Sequence, residues 1–158
     1  MLKATCDDIL TVYFDGIQQF IPEDETTNLE KVSKLIVPDA TKTLAFHCKD
    51  NGLGYGLLAL MEVYMGQGSG AVYTMTDTDW TCSAVEESGW ETPGFQETSN
   101  WKKAIDSGEP GDRSGVSNQA KWIWSDSAYR DVYCRQDIDI ISFVKSKRSN
   151  NISRYPWN

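Results

Sequence analysis

Short runs of alternating or β-branched residues dominate the hydrophobic pattern of this chain. Ile9–Phe14 alternates apolar and polar positions and is followed by the turn dipeptide Asp15-Gly16, as expected for a half-buried strand that ends in a tight turn. Polar and glycine-rich loops separate the later runs. The pattern predicts an all-β fold, a β-sandwich or jelly roll, with further strands at residues 31–37, 43–47, 55–64, 71–75, 122–124 and 132–144.

A long stretch, residues 76–119, lacks this regular pattern and is rich in Gly, Ser, Asp, Glu and Thr. It nevertheless contains three tryptophans and a phenylalanine, which gain free energy only when they are buried. We therefore expect ordered loops that pack over the end or edge of the sandwich, with one helical turn at residues 99–105. No repeat or linker interrupts the chain, so residues 1–158 are predicted to form a single domain.

Charge narrows the possible partners. The 158 residues carry a formal net charge of −8, which disfavours nucleic acid and anionic membranes because both require clustered lysine and arginine. The one basic stretch, residues 145–154, is either a patch for an anionic glycan or nucleic acid or a solvated tail. The most apolar run, residues 57–65, is too short to insert through a membrane and contains Glu62.

The four cysteines favour a secreted protein with two disulfides. Cys6, Cys48 and Cys134 lie in predicted strands, Cys82 lies in the irregular stretch, and the chain has a single histidine. This composition argues against a zinc site and for an oxidising, extracellular compartment, with the pairing left open. Buried free thiols are the alternative.

Several fragments, taken in order, resemble the galactose-binding-like jelly-roll modules that occur as accessory domains of glycosidases. The first, CDDILTVYFDG, resembles a strand-and-turn pattern of those modules, and KWIW followed by VYCR resembles a pair of their strands. The order is that of a circular permutation, which nearby termini allow. The matching segments are residues 6–16, 42–51, 54–60, 76–80, 95–101, 121–124 and 132–135.

As a lone, disulfide-bearing domain, the chain is also similar to the galactose-binding lectins of sea anemones. This resemblance implies recognition of β-galactosides, a bound Ca²⁺ ion and a homodimer. It concerns the fold more closely than the function, because one fold hosts many functions.

No motif for catalysis is present. The chain lacks a nucleophile elbow, a zinc-protease motif, a phosphate-binding loop and a dinucleotide fingerprint. The only histidine, His47, lies in an apolar strand-like run, where a ring held by a hydrogen bond is the simpler explanation. Carboxylate pairs are too numerous to indicate a glycosidase. We therefore predict a binding protein and not an enzyme.

Sugar binding requires an aromatic ring for the apolar face of the sugar and dense polar groups for its hydroxyls, often with Ca²⁺ and its oxygen ligands. Three loop clusters contain such groups: residues 106–113, residues 125–131 with the adjoining tryptophan, and Asp50-Asn51 with Tyr55. The predicted sugar-binding residues are Asn51, Tyr55, Arg113, Trp124 and Tyr129, and the predicted Ca²⁺ ligands are Asp106, Glu109, Asp112 and Asp126.

The sequence therefore predicts a lectin that binds terminal galactose of glycoconjugates with the help of Ca²⁺. The alternative is a secreted structural or adhesion module that binds protein partners. An exposed tyrosine or tryptophan beside clustered carboxylates would favour the lectin, and a flat patch without that pairing would favour the adhesion module.

Overall fold

Strands account for most of the regular structure in the computed structural model, which describes residues 1–22, 32–52, 54–64, 70–108, 116–126 and 130–152. The only helix within those ranges is α1 (Ile140–Ile152). The strands are β1 (Leu2–Asp7), β2 (Ile9–Phe14), β3 (Ile17–Gln18), β4 (Ser33–Leu35), β5 (Thr43–Lys49), β6 (Gly56–Val63), β7 (Ala71–Met75), β8 (Thr81–Ser83), β9 (Lys102–Lys103), β10 (Ile105–Asp106), β11 (Ile123–Trp124) and β12 (Asp131–Asp137).

The strands form two antiparallel sheets. Sheet A has the order β10-β11-β6-β1-β4, and β7 also pairs with β6. Sheet B has the order β3-β2-β5-β12-β8-β9. The prediction of an all-β fold is therefore confirmed: the described residues form two antiparallel sheets with one additional helix.

The alternation that predicted β2 reflects which side chains enter the core. Leu10, Val12 and Phe14 are buried, whereas the residues between them are partly exposed. Strand β6 is instead buried along almost its whole length, because one face lies in the main core and Leu58 and Leu60 on the other face are covered by Trp122 and Val116. A strand covered on both faces has a continuous apolar sequence.

Two disulfides are present, as the sequence predicted. Cys6 on β1 bonds to Cys48 on β5, which joins sheet A to sheet B. Cys82 bonds to Cys134, its direct partner in the β8–β12 ladder. Each bond restricts the unfolded chain and typically contributes about 2–4 kcal/mol to stability.

The irregular stretch packs mainly over the outer face of sheet B. Trp90 and Trp101 stack with 5.9 Å between ring centroids and lie on Tyr133 and Ala45. Arg135 holds the same stretch through its guanidinium, which donates to the Thr92 carbonyl over 3.3 Å. Trp80, Trp90 and Trp101 are buried as expected, the first in the main core and the other two on the outer face of sheet B. Residues 99–105 contain β9 and the start of β10 and no helical turn.

The last predicted strand is wrong beyond residue 137. Strand β12 ends at Asp137, and α1 begins at Ile140. The carboxylate of Asp139 explains the change, because Oδ1 accepts the Ser142 N–H over 3.0 Å and Oδ2 accepts its hydroxyl over 2.7 Å, which caps the helix. No helix in the part of the chain that the structure describes is long and apolar enough to span a membrane.

Candidate functional site

Strand register brings several loops to one end of the sandwich. The β1–β2 corner lies beside the β5–β6 loop, because Asp7 pairs with Gly56 and Ile9 with Lys49. Strand β12 begins at the same end, since Asp131 also pairs with Lys49. We call this region the Tyr55 end, after the exposed aromatic residue of the β5–β6 loop.

The described residues of the three loop clusters singled out in the sequence meet at the Tyr55 end. The Asp50 N–H donates to the carbonyl of Arg130 over 2.6 Å, which joins the β5–β6 loop to the segment before β12. The Ser107 hydroxyl donates to the carbonyl of Tyr55 over 3.4 Å, which joins the same loop to the segment after β10. Their convergence is a property of the fold, since the clusters are far apart in sequence.

Tyr55 is the exposed aromatic residue of this end. It is 40% exposed, whereas Trp124 next to it is 1% exposed. Their rings are tilted by 41°, with 5.4 Å between centroids. Strand β11 places the Trp124 side chain in the main core. Trp124 was predicted to stack on a sugar, but in the structure it packs against Tyr55 instead.

Three aspartates lie in the β5–β6 loop or against it. Asp8 Oδ2 accepts the Asn51 N–H over 2.7 Å, and Asp50 Oδ1 accepts the Gly52 N–H over 2.6 Å. Asp7 lies against Gly54, where an added Cβ would be 2.8 Å from Asp7 Oδ2. Asp7 and Asp50 are themselves buried. The end therefore combines an exposed ring with a concentrated set of hydrogen-bond acceptors.

Asp7 and Asp8 were not among the site residues predicted from the sequence. The signal that could have found them is the tight connection between β1 and β2. In an antiparallel arrangement, such a corner must lie at the same end as the loop that follows the partner strand. Asp7 and Asp8, at the β1–β2 corner, therefore lie close to the polar residues 50–52.

Asn51, a predicted sugar-binding residue, is exposed at the tip of the loop. Its backbone is fixed by Asp8, and its side-chain amide makes no hydrogen bond among the described residues. An amide can both donate and accept. Asn51 is therefore available to a ligand on the same loop as Tyr55.

In the described part of the predicted Ca²⁺ site, both carboxylates are paired with lysines. Asp106 Oδ2 lies 3.0 Å from Lys121 Nζ, and Asp126 Oδ2 lies 2.7 Å from Lys102 Nζ. No group of three or more His, Cys, Asp or Glu within the described ranges is arranged to hold a metal ion. The other predicted residues, Glu109, Asp112, Arg113 and Tyr129, lie outside the described residues.

His47 lies on the outer face of sheet B and bonds to Asp131, where β12 begins. Its Nε2 is 2.8 Å from Asp131 Oδ1, and its ring stacks on Tyr133 at 4.6 Å. Burial raises the pKa of Tyr133 to about 12, and the negative charges of Glu86 and Asp131 act in the same direction. His47 is thus a strand histidine held by a hydrogen bond and a stacked ring.

The Tyr55 end is suited to holding a small polyhydroxylated ligand. It offers an exposed ring for an apolar face, carboxylate oxygens as acceptors, and the Asn51 amide as donor and acceptor. Comparison with known proteins found no family model, no curated protein and no solved structure that matches this chain.

Proposed function

We propose that this chain is a lectin that binds terminal galactose of glycoconjugates without catalysis. The observation that carries the proposal is the exposed ring of Tyr55 on the same loop whose N–H groups bind the carboxylates of Asp8 and Asp50. This pairing of an exposed aromatic residue with clustered carboxylates is what distinguishes a sugar site from a flat protein-binding patch.

Galactose has one face on which C–H groups are concentrated, and this face packs on an aromatic ring. Its hydroxyls then lie around the ring edge, within reach of acceptors. A carboxylate accepts several hydrogen bonds, so the half-buried Asp8 keeps acceptor capacity after it binds one loop N–H. The Asn51 amide supplies a donor that the carboxylates lack.

Calcium is a separate part of the proposal and depends on Glu109 and Asp112. Hard oxygen ligands of this kind are those that Ca²⁺ prefers, and it requires about six to eight of them. Asp106 and Asp126, each within 3.0 Å of a lysine, would have to exchange that cation for the metal. Recognition through Tyr55, Asp8, Asp50 and Asn51 does not require the ion.

The remaining parts of the proposal are a galactose-binding-like jelly roll, a secreted protein and a homodimer. Two packed antiparallel sheets support the first, and two disulfides are compatible with an extracellular protein. A shallow monosaccharide site buries few atoms and has a dissociation constant on the order of millimolar. A dimer would supply the avidity that such a site needs.

The alternative, a secreted adhesion module that binds protein, is favoured by a different surface. Phe20 and Ile36 are 86% and 88% exposed, and Ile17 is 70% exposed. Ile17 lies in the edge strand β3, Phe20 follows that strand by two residues, and Ile36 directly follows the edge strand β4. Exposed apolar side chains of this size mark interaction surfaces when they form one patch.

The test is a glycan array with the folded protein, in Ca²⁺ and again in EDTA. Binding to terminal β-galactosides is expected, and its loss in EDTA would support the calcium part. Tyr55→Ala should abolish binding. Tyr64→Ala is the matched control, because Tyr64 is also an exposed tyrosine, at 55%, but follows the opposite end of β6.

Absence of binding by the folded wild-type protein in both conditions would contradict the lectin proposal. Equal loss in Tyr55→Ala and Tyr64→Ala would contradict the assignment of the site. Retained binding in EDTA would remove calcium and leave the rest of the proposal unchanged.

A further inference from the structure

The tip of the β5–β6 loop carries a chemically reactive dipeptide. Asn51-Gly52 is the only asparagine–glycine pair in the chain. The nitrogen that follows an asparagine can attack its side-chain amide and close a five-membered succinimide ring. Glycine at the second position places no side chain in the way of that ring closure.

The loop presents both reacting groups in an accessible place. Asn51 and Gly52 are exposed, and the Asn51 side-chain amide makes no hydrogen bond among the described residues. The Asn51 backbone is fixed by its N–H bond to Asp8 Oδ2 over 2.7 Å. The leaving amide is therefore not retained by the protein, while the backbone around it is held.

A base stands at the nitrogen that must lose its proton. The Gly52 N–H donates to Asp50 Oδ1 over 2.6 Å. Asp50 is buried and held by its own N–H bond to Arg130. A positioned carboxylate at this distance is arranged as a general base.

From this geometry we infer that Asn51 is a self-modification site, at which the loop converts asparagine to aspartate and isoaspartate with Asp50 as the proton acceptor. Asp50 takes the Gly52 proton as the nitrogen forms a bond to Asn51 Cγ. The bond from Cγ to the side-chain nitrogen breaks, and that nitrogen leaves as ammonia with the proton returned from Asp50. Water then adds to either ring carbonyl and opens the succinimide.

The product changes the Tyr55 end. A neutral amide becomes a carboxylate next to Asp8 and Asp50, and the isoaspartate product adds one carbon to the backbone path that leads to Tyr55. If the end binds sugar, as proposed above, modified protein binds it more weakly. This last consequence rests on the proposed function, but the modification itself does not.

The test is peptide mapping by mass spectrometry after incubation of the folded protein in heavy-oxygen water at mildly alkaline pH. The peptide containing Asn51 should gain the mass of the amide-to-acid conversion with one heavy oxygen, and it should separate into two isomers. Peptides containing Asn100 and Asn118, which are followed by tryptophan and glutamine, are internal controls. Conversion of Asn51 no faster than theirs would overturn the inference.

Two variants test the mechanism. Gly52→Ala should slow the conversion severalfold without disturbing the fold, because its Cβ would meet Asp50 Oδ1 and Asp8 Oδ2 at ordinary distances of 3.7 and 3.8 Å. Asp50→Ser keeps an oxygen acceptor in the turn but removes the base, and it should slow the conversion by up to about 100-fold, the lower end of general-base effects. Conversion in Asp50→Ser as fast as in the wild type, or faster, would remove Asp50 as the base.

Sugar binding is measured separately on fresh and converted protein. Conversion at Asn51 with no sugar binding by fresh protein would contradict the proposed function and leave the modification standing. Sugar binding by fresh protein without conversion at Asn51 would contradict the modification and leave the proposed function standing.

Discussion

The ring of Trp124 packs against the ring of Tyr55 at a tilt of 41°, with 5.4 Å between their centroids. Trp124 is buried and Tyr55 is exposed. The two aromatic residues therefore have separate tasks, one in the core and one at the surface.

Trp124→Ala should cost about 3–5 kcal/mol of the free energy of unfolding, because it removes a fully buried tryptophan. Tyr55→Ala should cost much less, because its side chain is partly in water already. Urea denaturation of both variants checks this difference. Equal costs would show that the two rings are not divided between core and surface.

Gly54→Ala should destabilise the protein by about 1–3 kcal/mol, as overpacking does. The added Cβ would lie 2.8 Å from Asp7 Oδ2, and Asp7 is buried. Gly52→Ala, two residues earlier, is the matched control and should change stability by less than about 0.5 kcal/mol. The same unfolding experiment applies, and a control as unstable as Gly54→Ala would contradict the role of this contact.

Arg135→Ala should cost about 1.5–3 kcal/mol, the range for hydrogen bonds to charged groups. The arginine side chain is 3% exposed and bonds Asp137 at 2.9 Å and Glu97 at 3.4 Å. Because both acids are partly exposed, its removal leaves no fully buried charge. Limited proteolysis should then cut the segment around Thr92, which Arg135 holds, before it cuts the strands. Uniform cleavage along the chain would argue against this anchor.

Alkaline pH should weaken the fold through Tyr133. Burial raises the pKa of this residue from 10.0 to about 12, so the folded state keeps the proton that the unfolded state loses. The contribution to stability is complete below pH 10.0 and is lost as the pH rises through about 12. Tyr133→Phe should show a smaller loss over this interval in urea denaturation, and Glu86→Gln should lower the Tyr133 pKa in an ultraviolet titration. A Tyr133 that titrates in its ordinary range would contradict both expectations.

The strands could be predicted from the sequence because alternation is a direct result of burial. Ile9–Phe14 alternates since each second side chain enters the core. Helix α1 was missed because its core-facing residues, Ile140, Phe143 and Val144, were read as the end of a strand. The cap formed by Asp139 and Ser142 is a short-range signal. Sequence pattern therefore identified most elements but not the change from strand to helix.

The site was only partly predictable because it depends on long-range pairing. The three loop clusters were recognised by composition, but only strand pairs such as Ile123 with Leu57 and Asp131 with Lys49 bring them together. The same pairing explains why Trp124 is buried and Tyr55 is not. Neither outcome can be read from residues that are neighbours in sequence.

The bond between Cys6 and Cys48 makes the Tyr55 end sensitive to its redox surroundings. Asp7 follows one cysteine directly, and Asp50 lies two residues after the other. Thiol–disulfide exchange at this bond would separate β1 from β5, the strands next to these carboxylates. The other bond joins β8 to β12 within sheet B. The arrangement of the Tyr55 end thus depends on a covalent link between the two sheets, whereas the other bond acts within a single sheet.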